Sequence, residues 1–228
     1  HSINRDCQVT AIHGRLPQEE VLDAVVHADV VLGCTDQQHS RVAQSELATR
    51  YLVPVLDVGV NLEGGDGQIT GLIEQYTRFL PADACVWCRA MVDARRVTQE
   101  LLSPAEQETR RAQAANARAR GDAADAYWLD VPLLHTVGFL TGVVGMRAAG
   151  YAIGWITGRF APPFTRLQLN AAAPWFDVTD QTDEHAPPRA TCDCRQMRGL
   201  GARGLEWSWL AVPSHWSPAV VNGGATTT

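Results

Sequence analysis

The chain contains no lysine; all 19 of its basic residues are arginine. Any phosphate grip built by these residues must therefore use guanidinium, imidazole or backbone N–H groups. Basic charge is also in deficit overall, with a formal net charge of −6, which argues against a broad nucleic-acid surface. No G-x-G-x-x-G follows a strand-like run, so the dinucleotide-binding turn is missing. The chain opens on His1 with no basic-then-apolar leader before its first strand, which sets the expectation of a cytoplasmic protein. One apolar run, Val131 to Met146, carries no formal charge. As a helix it would span about 24 Å, short of the ~30 Å of a bilayer core, and His135 interrupts it. A membrane span is therefore not expected. Gly138, Gly142, Gly145 and Ala149 recur there at three- and four-residue spacing, leaving one side nearly flat. That flatness suits close packing on a sheet or on a partner subunit.

What is present fits one large domain, or one domain with an appendage: 228 residues, of which 46% are hydrophobic. Residues 7–12 alternate as a strand, and Leu16-Pro17 opens a helix through Ala28 with Val21, Leu22, Val25 and Val26 on its buried side. A strand at 29–33, a helix at 37–52 and a strand at 53–60 follow, and this alternation predicts a mostly parallel sheet. Gly64-Gly-Asp-Gly67 reads as a hairpin turn before an antiparallel strand at 67–79. Residues 89–127 read as a solvated helical excursion with a helix start at Pro104, Leu167–Leu169 as a short strand, and 177–188 as a loop. The tail holds Trp207, Trp209 and Trp216, and Val221 to Thr228 is expected to be disordered.

The stretch from Ala28 to Arg41 organises the rest. Its strand stops at Gly33, and Thr35 or Asp36 can cap the helix that follows, with Val42, Leu47 and Tyr51 on its apolar side. Asp36 then sits at the carboxyl end of a strand, the rim where open α/β sheets bind ligands. Two readings stand for it, a helix cap and a ligand-binding carboxylate. Asp57 lies at the next strand end, as a rim carboxylate or as a turn cap before Gly59. Cys85-x-x-Cys88 and Cys192-x-Cys194 can together make a closed four-thiolate metal site. Two unrelated pairs of free thiols, or a redox role for the first pair, are the other readings. Cys34 reads as core, and His13, His27, His39, His135, His185 and His215 show no metal-ligand spacing.

Asp29-Val-Val-x-x-Cys-Thr-Asp36, then Arg41, a helix, Val53-Pro-Val-Leu-Asp-Val-Gly59, Gly67-Gln-Ile-Thr70 and Cys85-Val-Trp-Cys88 together resemble the ThiF/MoeB/HesA adenylyltransferases, relatives of the ubiquitin-activating enzymes. The resemblance is good over roughly residues 3 to 90 and looser beyond. It implies a Rossmann-like three-layer α/β domain with a helical insert and a zinc-clamped C-terminal segment. Residues 1–90 would be the second half of the nucleotide-binding domain, 91–128 the insert, 129–204 the domain's C-terminal part and 205–228 a tail. In that family the glycine loop and the triphosphate-gripping residues precede the point matching Ile3-Asn4, so the first βαβ unit is expected to be lacking. The resemblance further implies ATP-dependent adenylation of the C-terminal glycine of a ubiquitin-like or sulfur-carrier protein, by a homodimer. Asp36 would stand beside Mg²⁺ and the α-phosphate, while Arg41 is an ATP contact or a structural ion pair. Zn²⁺ would sit on Cys85, Cys88, Cys192 and Cys194, although the second pair has one intervening residue where the family usually has two. No Cys lies between Cys88 and Cys192 to carry a thioester, so adenylation without thioester transfer is the closer analogy. A non-catalytic binding or assembly module is the alternative, and a nicotinamide-dependent enzyme fits less well because its fingerprint is absent.

Overall fold

The computed structural model describes residues 7–130, 137–171, 177–180, 187–202 and 212–222. Trp207, Trp209, His135, His185 and residues 223–228 lie outside them, as does the first part of the apolar run.

The order of elements follows the alternation of the sequence. Strand β1 (Ala11–His13) leads to helix α1 (Glu19–Val25), strand β2 (Val31–Gly33) and helix α2 (Gln38–Arg50). Strands β3 (Val55–Gly65) and β4 (Gln68–Phe79) form a long hairpin. Helices α3 (Ala94–Leu101) and α4 (Pro104–Ala119) come next, then a 3₁₀ turn at Ala124–Ala126 and helix α5 (Gly138–Ile156). Strands β5 (Arg166–Asn170) and β6 (Asp177–Asp180), helix α6 (Asp193–Gln196) and strand β7 (Val220–Asn222) complete the elements of the described residues.

The main sheet runs β2-β3-β4-β5-β6. Only the β2–β3 pair is parallel; the three other pairings are antiparallel, so the sheet is less parallel than the alternation predicts. The α/β class stands, and the difference begins at the β3–β4 hairpin, which has no crossover helix, with β5 and β6 continuing the antiparallel pairing. The hairpin turns where expected, with Asp66 and Gly67 both at positive φ (53° and 76°) between β3 and β4.

Strand alternation sorts the sheet into two faces. Val55 and Phe79 pack with Val42, Leu47 and Ala48 of α2, with Val86, and with Val97 of α3. Leu56, Val58, Tyr76 and Leu169 pack on the other face with Val144 and Ala148 of α5 and with Phe164. Helix, sheet and helix thus make three layers. Helix α3 belongs to the first layer through Val97, which is fully buried, whereas α4 buries only Ala114 and Ala117. Ser103 and Glu106 close a reciprocal capping box at the start of α4, where Pro104 takes the first position.

Three expectations fail here. Strand β1 does not join the main sheet but pairs antiparallel with β7, and none of the residues of α1 is fully buried. Leu22, Val25 and Val26 are instead half-buried, packed against the edge of the core that α2 and β3 share. Residues 177–180 are a strand, not a loop, because Val178 and its neighbours pair with β5. Val220–Asn222 is ordered by its pairing with β1 instead of being frayed.

Candidate functional site

The carboxyl end of the parallel pair forms a rim. Gly33 ends β2 directly opposite Asp57 of β3, and Asp57 lies opposite Thr77 of β4. Asp57 is not a turn cap: β3 runs straight past it through Gly59 to Gly65. Its side chain is 1% exposed, and Arg41 from α2 reaches across with Nε 3.3 Å from Oδ2. Oδ1 is buried with no hydrogen-bond partner among the described residues. Burial pushes the Asp57 carboxyl up to about 7, against the opposing pull of Arg41 and Arg166. Desolvation therefore outweighs both guanidiniums, and Arg41 is engaged by Asp57 as an ion pair.

Asp36 lies three residues beyond the end of β2 and is exposed. It is not the helix cap. The N-cap of α2 is Gln37, whose side chain makes no capping bond. The orphan amides are satisfied from α3 instead: Gln38 N–H donates to Glu100 Oε1 at 3.2 Å and His39 N–H to Oε2 at 2.8 Å. Arg96 Nε holds that carboxylate at 3.2 Å. Glu100 was not singled out by sequence reasoning, and no local pattern links it to an amide sixty-odd positions away. Asp36 is thereby left on the wall of an open cavity of about 430 Å³, which it shares with Arg96, Arg111, Trp128 and Asp130. Cys34, expected in the core, is instead exposed beside this rim, and partial burial and the Asp57 charge push its thiol up.

The second centre lies at the far end of α2. Cys85 and Cys88 occupy a tight turn after β4, closed by Arg89 N–H donating to the Cys85 carbonyl at 3.1 Å. Cys192 immediately precedes α6 and Cys194 lies in its first turn, so a single intervening residue brings both thiols to the same side. The four sulfurs lie within 4.8 Å of one another, with Cys85–Cys192 at 3.6 Å and Cys88–Cys194 at 3.9 Å. A metal with bonds of about 2.3 Å to four thiolates has tetrahedral edges of roughly 3.8 Å, so the donor set fits such an ion. The short spacing of the second pair is thus no obstacle. Burial pushes the Cys85 thiol up and the Cys194 thiol to about 11, the condition that a bound cation would reverse.

The segment carrying the second pair is stitched to α2. Gly199 N–H donates to the Thr49 carbonyl and Gly201 N–H to the Arg50 carbonyl, each at 3.0 Å. Both glycines have positive φ, 72° and 57°, which a side chain would strain. Buried Arg50 donates Nε to Glu46 Oε2 at 2.9 Å and Nη2 to Met197 Sδ at 2.7 Å. The C-terminal segment therefore caps the same helix whose amino end borders Asp36.

No curated protein matches the chain. Among solved structures, the crystal structure of PaaA in its selenomethionine form is similar at 14% identity and a TM-score of 0.37, over 72% of this chain and 46% of that one. The chain thus spans less than half of PaaA. The ThiF family profile matches residues 1–195, the rim and both cysteine pairs included, and the chain belongs to the ThiF family.

Proposed function

We propose that this chain takes part in ATP-dependent adenylation of the C-terminal glycine carboxylate of a ubiquitin-like or sulfur-carrier protein. A carboxylate oxygen of the carrier attacks the α-phosphorus of ATP, the bond to pyrophosphate breaks, and an acyl-adenylate and pyrophosphate result. The reading is supported by family membership, since the family is one of adenylyltransferases that use ATP and Mg²⁺, and by one observation above others: Asp36 is exposed at the strand-end rim and has no capping duty. In this reading Asp36 holds Mg²⁺ against crowded phosphate oxygens. Asp57 pairs with Arg41 at the neighbouring strand end, and that guanidinium side chain stays 22% exposed. The four cysteines hold Zn²⁺, which fixes the C-terminal segment to the domain. The protein works in the cytoplasm, where such thiolates stay reduced, and pairs with a second copy of itself.

Among the described residues no glycine loop follows a strand at this rim, and the amino end of α2 is already closed by Glu100. These two observations favour a second reading, a non-catalytic module that holds the carrier protein while another polypeptide grips the triphosphate. ATP–pyrophosphate exchange separates the two. With a glycine-loop unit joined ahead of residue 1 and the carrier present, exchange is expected, and Asp36→Asn should reduce it by orders of magnitude at unchanged Tm. A fully active Asn variant would remove the active site from this strand end. Carrier binding without any exchange would select the assembly module. The 228-residue chain alone should bind ATP weakly by calorimetry, because it holds no G-x-G-x-x-G to cradle phosphates.

A further inference from the structure

Arg89 follows the first cysteine pair and is a buried cation without a carboxylate of its own. Its side chain is 1% exposed. Nη1 donates to the carbonyls of Arg78 and Thr165, at 3.0 and 3.3 Å, and the guanidinium lies 5.0 Å from the ring centroid of Phe79. Nε has no hydrogen-bond partner among the described residues. The neighbouring carboxylate, Asp83, is engaged by Arg78, whose Nε and Nη2 donate to its two oxygens at 3.1 and 3.3 Å. Arg89 Nη2 stands 3.7 Å away. Two guanidiniums thus share one carboxylate, and one positive charge is left over beneath the surface. An uncompensated buried charge is costly, so this site calls for an anion.

The anion lies on the same turn. Arg89 N–H closes that turn on the Cys85 carbonyl at 3.1 Å, and Cys85 is itself 5% exposed. Burial opposes the Arg89 cation most; Asp83 and Cys85 favour it, while Arg78 and Arg166 oppose it. Four thiolates around one divalent ion keep two net negative charges, so the two centres have opposite signs. We infer that Arg89 is the counter-cation of the four-thiolate centre and strengthens its hold on the metal from outside the ligand set. This rests on the zinc reading above and adds a residue that sets the affinity. Two other arginines border the centre. Arg50 is paired with Glu46 at 2.9 Å. Arg189 donates its backbone N–H to Cys88 Sγ at 3.4 Å, a bond that any residue but proline supplies, and it is exposed to screening solvent. Of the three, Arg89 alone is both buried and short of an anion.

The test is the metal affinity of the full chain, measured by competition with a chromophoric chelator. Zn²⁺ is compared with Co²⁺, whose absorption reports tetrahedral thiolate ligation. Arg89→Met removes the charge and keeps an apolar stem; affinity should fall about 10–100-fold with the Co²⁺ spectrum unchanged in shape. Arg89→Lys keeps the charge without the forked donor and should hold the metal nearly as the parent does. Asp83→Asn removes the competing carboxylate, so affinity should rise even as Tm falls. Arg189→Gln should leave affinity unmoved. Opposite signs at positions 89 and 83 are the mark of charge. A fall in both would make Arg89 only a peg between the turn and the carbonyls of Arg78 and Thr165, and would overturn the inference. Should Arg89→Met fail to fold, the sign of the Asp83→Asn change decides. A parent that binds zinc with an affinity indifferent to position 89 removes this inference alone. A parent that takes up neither ion removes the zinc reading as well.

Discussion

At Asp57 two forces of known sign compete. The carboxyl has an ordinary value of 3.8 in an unfolded chain and about 7 in the folded one, because burial opposes its charge more than Arg41 and Arg166 support it. Between those values the folded chain binds more protons than the unfolded chain. The stability contributed by Asp57 is therefore fully present below about pH 4 and is lost as pH rises through 7. Asp57→Asn keeps the shape and removes the titration. The wild type should lose more thermal stability between pH 5 and pH 8 than the Asn variant does. Parallel Tm profiles would mean that the Arg41 pair keeps Asp57 ionised throughout. Asp36 provides the contrast: it is exposed and free of capping bonds, so Asn or Ala there should leave Tm unmoved.

At the scale of elements, α2 links the two centres because both of its ends are closed by distant chain. Glu100 takes the amides of Gln38 and His39 at one end; the amides of Gly199 and Gly201 take the carbonyls of Thr49 and Arg50 at the other. A carboxylate at a helix amino end gains from both hydrogen bonding and the dipole. Glu100→Ala should cost about 1 kcal/mol, or roughly 2–4 °C in Tm for a domain of this size. Glu100→Gln, which keeps one acceptor oxygen, should lose less. If the amino end of α2 is also where an anion must arrive, Glu100→Ala should strengthen phosphate binding while it lowers Tm. Equal phosphate affinity in the two proteins would separate Glu100 from ligand binding.

For the molecule as a whole, the cysteine centre decides whether residues 187–202 belong to the domain. That segment rests on four sulfurs, two glycine amides and the Arg50–Met197 contact, and buries little apolar surface besides Cys194. Purified protein should carry about one Zn²⁺ per chain. Chelation should raise amide exchange across 187–202 and in the last turn of α2, while the β3–β4 hairpin stays protected. Cys85→Ser and Cys194→Ser should each abolish retention of the metal. Loss from the first variant alone would make the first pair ligands and the second pair neighbours.

The alternation of short strands and helices, the Asp66-Gly67 turn, the helix start at Pro104 and the paired thiols were legible in the sequence because each is a local pattern of spacing, turn chemistry or metal-ligand type. Asp36 was legible as a rim carboxylate for the same reason, since a strand stopping at Gly33 before a helix fixes where it lies. Its freedom from capping was not, because Glu100 competes for the same amides from another helix. The sense of the sheet, the pairing of β1 with β7, the burial that lifts Asp57 and the convergence of Cys192 and Cys194 on Cys85 and Cys88 were decided by the tertiary structure. Hydrogen-bond partners across a sheet, and the dielectric around a carboxylate, depend on which distant segments arrive. The residue type sets what each group can do; the fold sets which neighbour claims it first.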